Sequence, residues 1–190
     1  MIEPDPPDLP PEPEAPDLTA TRWVEARVEG VSLGDERRHG LSLLDCELRD
    51  CDLANLDARG ASLRRVVIAD GRLTGCNLGE SSLTDVSLSD CRADLAVFAQ
   101  ATLETVRFVS CHLPQATFQE ARLRSVAFEN CDLSGADLTS AKFEDVELRR
   151  CKLDGLRGAD SLNGVRMPWP DIVDNAALFA AACGVQALAE

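Results

Sequence analysis

A rule with a period of five residues runs through most of this chain and limits its fold more than any other feature. It holds almost without error between Val86 and Phe128. The centres of successive fives are Leu88, Ala93, Phe98, Leu103, Phe108, Leu113, Phe118, Leu123 and Phe128. Two places before each centre stands a small residue: Val86, Cys91, Ala96, Ala101, Val106, Cys111, Ala116, Ala121 and Val126. The other three places are mostly polar or charged. Five matches neither the 3.6-residue period of a helix nor the period of two of a flat strand. A fixed internal period is the mark of a stacked repeat.

The rule extends backward through centres from Leu83 to Val28 and forward through Leu133, Leu138, Phe143, Leu148 and Leu153. A period of twenty lies over the five. Val66, Val86, Val106, Val126 and Val146 recur at that step, as do Cys91, Cys111, Cys131 and Cys151. Four fives therefore make one turn, and like residues stack on like. The Val–Cys–Ala–Ala cycle of the small position implies four unequal sides.

This pattern resembles the pentapeptide-repeat family, whose consensus is A-(D/N)-L-x-x. The local matches are Ala136-Asp137-Leu138, Cys131-Asp132-Leu133, Cys51-Asp52-Leu53 and Cys76-Asn77-Leu78. The resemblance covers roughly residues 23 to 160 and implies a right-handed, quadrilateral parallel β-helix in an all-β chain. About seven coils at a strand spacing of ~4.8 Å make a rod on the order of 34 Å long.

Three segments follow. Residues 1–18 hold seven of the ten prolines and six acids without a base. Such a stretch buries too little apolar surface to offset ordering and is expected to be a disordered, partly polyproline II tail. Residues 19–163 form the solenoid, and residues 164–190 a C-terminal capping and dimerisation helix. The tail has no basic start or apolar core of a signal peptide, and the sequence has no run long and apolar enough to span a membrane. The formal net charge is −14, but residues 19–167 carry 24 acids against all 19 bases. The solenoid is only mildly acidic, and phosphate binding needs a Lys/Arg surplus, so direct nucleic-acid binding is not expected.

The rule falters at residues 34–40, where Glu36 falls on a small position and Arg38 on a centre. Buried unpaired charge is costly, so the chain is expected to loop out or fray here, as a recognition loop or as an imperfect first turn. Seven of the eight cysteines take the small inward position, which reads as apolar filling. Zinc spacing is absent and no cofactor or metal is implied. Unpaired thiols point to a cytoplasmic protein. Isolated His39 and His112, no phosphate loop and a filled tube without a cleft argue against an enzyme or a small-molecule substrate.

Two kinds of surface remain. Asp50, Asp70 and Asp90 stack in one column, and Glu80 and Glu120 in another; these are candidate partner-binding stripes or simply a solvated face. After Met167-Pro168-Trp169-Pro170, residues 171–183 read as a helix with Ile172, Ala176, Phe179 and Cys183 in one seam. Trp169 and this seam are the expected interface of a homodimer. The helix 174–181 is similar to the tail of Mfp/Qnr-type pentapeptide proteins, and that resemblance implies a DNA-mimic regulator of DNA gyrase that confers quinolone protection. The residues themselves support an interaction solenoid or structural spacer of unknown protein partner.

Overall fold

The computed structural model describes residues 2–11, 13 and 15–185. Its core is a parallel β-solenoid in which each side of the coil is one five-residue unit. Strand alternation places the small residue and the centre on the same, inward face, with one outward residue between them. A second outward residue follows the centre. The fifth residue turns the corner, and it does so in the left-handed region. Every residue numbered by a multiple of five from Glu25 to Gly155 has φ between +49° and +71°. Two inward, two outward and one corner residue account for the period.

Sides one and two of the coil run as continuous strands. These are β1 (Arg22–Val24), β2 (Arg27–Glu29), β3 (Ser42–Arg49), β4 (Ser62–Ala69), β5 (Ser82–Ser89), β6 (Thr102–Val109), β7 (Arg122–Glu129), β8 (Lys142–Glu144) and β9 (Glu147–Arg149). They pair in parallel in order β1-β3-β4-β5-β6-β7-β8, with β2 on β3 and β9 on β7. The register is a uniform twenty, as in Val66↔Val86 and Phe108↔Phe128. Sides three and four touch the next layer through single bridges such as Arg92↔His112 and Val97↔Thr117, joined by tight turns. Pro114 fits one of these turns, because its fixed φ suits the place before the left-handed Gln115. Seven strand layers result, separated by six turns of chain.

The tube is filled. The side-two valines Val66, Val86, Val106, Val126 and Val146 are completely buried. Phe108 and Phe128 stack at 4.7 Å on side two, and Phe98 and Phe118 at 4.8 Å on side four. The two stacks meet edge to face at 5.7–6.3 Å. A void of about 20 Å³ remains in the first layers, bordered by Ala58, where the centre is small.

Residues 34–40 do not loop out. Ser32 and Arg37 bridge to Asp52 and Asp57, and Asp35 and Gly40 take the ordinary corner conformation. Arg38 is tolerated at a centre because it lies in the first layer, with no coil beneath it. Its Nε donates to Glu36 Oε2 at 2.7 Å and its Nη1 to the Ala20 carbonyl at 3.0 Å. Trp23 closes the same end, its Nε1 donating to the carbonyls of Asp17 and Ala20. The acidic N-terminal segment has no helix or strand over residues 2–10 and meets the solenoid, with Ile2 only 8% exposed.

The other end is closed by the chain after Leu156. Gly158 has φ +74°, and a Cβ there would stand 2.4 Å from the Thr139 nitrogen, so only glycine fits as the chain leaves the coil. A short 3₁₀ turn (Ala159–Ser161) leads to Arg166, which pairs with side two one residue out of step, as Glu147↔Arg166. The expected single helix is two short ones, α1 (Trp169–Asp174) and α2 (Ala176–Ala182), broken at Asn175. Leu162, Val165, Met167, Leu178 and Phe179 pack partly buried against the core. The part of segment 164–190 beyond Val185 lies outside the described residues.

Candidate functional site

The exterior consists of four faces and four corner columns, so each candidate residue has a defined place. Asp50, Asp70 and Asp90 form the corner between sides two and three, all exposed. Glu80 and Glu120 form the corner between sides four and one, diagonally opposite. One flat partner surface therefore cannot cover both columns. The left-handed corner also gives a local reason for many of these residues. Short polar side chains that bond their own backbone tolerate this region best after glycine. Of the 27 corner residues, 15 are Gly, Asp or Asn. Stacked aspartates at corners are thus partly a backbone requirement.

Many surface charges are closed by ion pairs, within a layer or to the next one. Glu80 pairs with Arg59, and Glu120 accepts from Gln100 Nε2 at 3.1 Å. On side two, Glu47 lies between Arg27 and Arg49, and Glu147 between Arg149 and Arg166. On side one, Arg124 reaches Glu104 and Glu144. On side three, Arg72 pairs with Asp52, and His112 sits between Asp94 and Asp132. His39 lies 2.7 Å from Asp57, and that contact holds the Asp57 carboxyl below its usual range. Asp50, Asp70 and Asp90 make no ion pair among the described residues.

Burial and pairing shift the carboxyls together. The Arg65 guanidinium bonds Asp45 through Nε and Nη2, both at 2.6 Å, and holds its carboxyl below the ordinary 3.8. Arg149 likewise holds the Glu147 carboxyl below its ordinary 4.5. Burial pushes Glu47 upward, but bonds from Arg27 and Arg49 leave it below its ordinary value. Inside, each cysteine of the 91–151 column donates to a carbonyl of the layer before, such as Cys111 to Leu88 and Cys131 to Phe108. All eight cysteines are unpaired thiols, and burial raises Cys76 to about 12.

The C-terminal seam expected from the sequence is interrupted at Asn175, which separates α1 from α2. Phe179 and Ile172 turn toward the chain's own end, beside Leu162, Val165 and Met167. Ala176 and Cys183 do not join them: Ala176 is exposed, on the first turn of α2 beyond the break, and Cys183 is an exposed thiol. Trp169 is 73% exposed and Val173 55% exposed, one turn apart on α1. Val173 escaped the sequence reading because the break was not legible. The Asp171 carboxylate accepts the Arg150 N–H at 2.6 Å and fastens α1 to the last coil. No helix among the described residues is long and apolar enough to cross a membrane.

Two family models match adjoining stretches: pentapeptide repeats (8 copies) over residues 46–85, and the pentapeptide repeat region over residues 82–157. Among solved structures, a trypsin-treated variant of QnrB1, a plasmid-mediated fluoroquinolone resistance protein, shares 16% identity at a TM-score of 0.44. The alignment covers 86% of this chain and 92% of that one. HetL of the cyanobacterium Nostoc sp. strain PCC 7120, a pentapeptide repeat protein involved in heterocyst differentiation regulation, shares 18% at 0.25, over 76% and 88%. Rfr23 of the cyanobacterium Cyanothece 51142 shares 19% at 0.26, over 69% and 86%. No curated protein matches the chain.

Proposed function

The chain belongs to the pentapeptide-repeat family, and from that premise we propose that it acts by protein–protein contact and not by catalysis. The observation that carries this reading is the filled tube. Its inward positions are occupied by packed aliphatic and aromatic side chains, which leaves recognition to the outer columns and the two ends. A rigid rod whose outward residues repeat at one-layer intervals is suited to present side chains to a partner in fixed register. Its free thiols support a reducing, cytoplasmic setting. It pairs with a second copy through the C-terminal end, where Trp169 and Val173 project as an apolar pair. Light scattering tests the pairing: Trp169→Asp is expected to yield monomers, and a persistent dimer removes this interface.

A second reading, regulation of DNA gyrase by DNA mimicry, is favoured by one observation. Asp50, Asp70 and Asp90 form an exposed acidic column without ion pairs among the described residues. Supercoiling by purified gyrase, with and without ciprofloxacin and titrated with this protein, separates the readings. Inhibition or protection that is lost in the Asp50/Asp70/Asp90 triple Asn variant supports the mimic. No effect leaves the interaction solenoid, whose partner is then sought by crosslinking.

A further inference from the structure

The acidic N-terminal segment follows a defined path. It runs along the corner between sides one and two, the column Asp45, Arg65, Asp85. Glu3 Oε1 accepts from Arg107 Nη1 at 2.8 Å. The Asp5 N–H points to Asp85 Oδ1 at 3.5 Å, and the Asp8 N–H donates to Asp45 Oδ1 at 2.9 Å. Ile2 is buried at the far end of this path.

The spacing of these contacts has a physical basis. Asp45 and Asp85 are two layers apart, about 9.6 Å at the usual strand spacing. Asp5 and Asp8 are three residues apart, and three residues of polyproline II advance about 9.3 Å and complete one turn. One turn of the peptide therefore matches two layers of the solenoid, and successive inward N–H groups meet successive carboxylates. The prolines at 4, 6 and 7 hold the peptide extended before it docks, which lowers the entropy lost on docking. The charges also fit. Arg65 neutralises Asp45 through two hydrogen bonds, so the Asp8 amide meets a carboxylate whose charge is already balanced. Arg107, shared with Glu129, receives the acidic side chain.

We propose that the Asp45–Arg65–Asp85 corner with Arg107 is a docking track for an extended, acidic, proline-rich peptide, and that residues 2–8 of this chain occupy it as an intramolecular strap. The corner is consequently closed to other partners while the strap is seated. The strap is the ligand of a specific site; it is not a free tail.

Amide hydrogen exchange of the full chain tests this. The Asp8 amide is expected to exchange at least tenfold more slowly than in a synthetic peptide of residues 1–18. Arg107→Glu and Asp45→Asn should each bring it close to the free-peptide rate. Glu3→Arg combined with Arg107→Glu should restore protection, a result that a general loss of folding cannot produce. Exchange within threefold of the free peptide in the unaltered chain, or no rescue by the charge swap, overturns the proposal. The labelled peptide should also bind the Glu3→Arg chain, whose own strap is repelled, at least tenfold more tightly than the unaltered chain; equal binding to both refutes a shared track.

Discussion

Replacing Phe108 with alanine tests the inward assignment where it is most regular. Phe108 is fully buried in the middle of the rod, in register between Leu88 and Phe128. Its ring stacks on Phe128 at 4.7 Å and meets Phe98 and Phe118 edge to face at 5.9 and 6.3 Å. Phe→Ala in a core costs about 3–5 kcal/mol, set by how far the site can collapse. Collapse is restricted here, because the layers above and below are tied to a fixed register by backbone hydrogen bonds. The lost edge and stacking contacts add to the area effect. We expect a loss near the top of that range, roughly 4–5 kcal/mol, which lowers the melting temperature by about 10 °C or more in a chain of this size. Phe108→Leu is the control. The same column accepts leucine at Leu48, Leu88 and Leu148, so this change keeps most of the volume and should cost about 1–2 kcal/mol. Urea and thermal unfolding followed by circular dichroism measure both. An alanine variant less than about 1.5 kcal/mol below the parent, or a leucine variant as damaging as alanine, refutes the packing argument.

Leu95 is a large apolar residue in the left-handed region, with φ +58° and 54% exposure. Leu95→Asn should raise stability by about 0.5–1 kcal/mol through relief of backbone strain, and any destabilisation contradicts it. The carboxyl of Asp45 is held low in the folded state, so its contribution is complete above the ordinary 3.8 and is lost as pH falls through the lower folded value. Asp45→Asn should therefore be less stable than the parent at neutral pH, by a margin that shrinks as pH falls below the ordinary 3.8; a difference that stays constant as the pH falls removes the Asp45–Arg65 pair from the account. Native protein should show one fast thiol toward an aromatic disulfide reagent, the exposed Cys183, and eight after unfolding. Several further fast thiols in the native state would mean that the cysteine columns are open.

The repeat was legible because its cause is local. One inward pair, one outward pair and one corner recur every five residues, so register, core and four-sided section all follow from a count along the chain. Val66 through Val146 and the phenylalanine centres lie where the count puts them. The corner chemistry was written there too, in the Gly, Asp and Asn that take just over half of the multiples of five, but its meaning as a left-handed backbone emerges only in the fold. The candidate surfaces were legible only as columns. Whether an acidic column lacks ion pairs among the described residues, as at Asp50, Asp70 and Asp90, or is paired, as at Glu80, depends on side chains about one coil away that any outward position could supply.

The ends mark the boundary between the two kinds of information. Sequence counting treats Arg38 as a charge in the core, because the rule does not know which layer is the first. The structure shows an open end with the Ala20 carbonyl and Glu36 within reach. Counting likewise treats residues 2–8 as too polar to fold. In the structure the Asp5 and Asp8 amides lie against Asp85 and Asp45, two layers apart, and that spacing exists only once the layers are stacked. The five-residue rule by itself determined the rod, since each layer repeats the contacts of the last. Only the tertiary structure decided what lies on the rod and how it is closed, because those contacts join segments with no shared period.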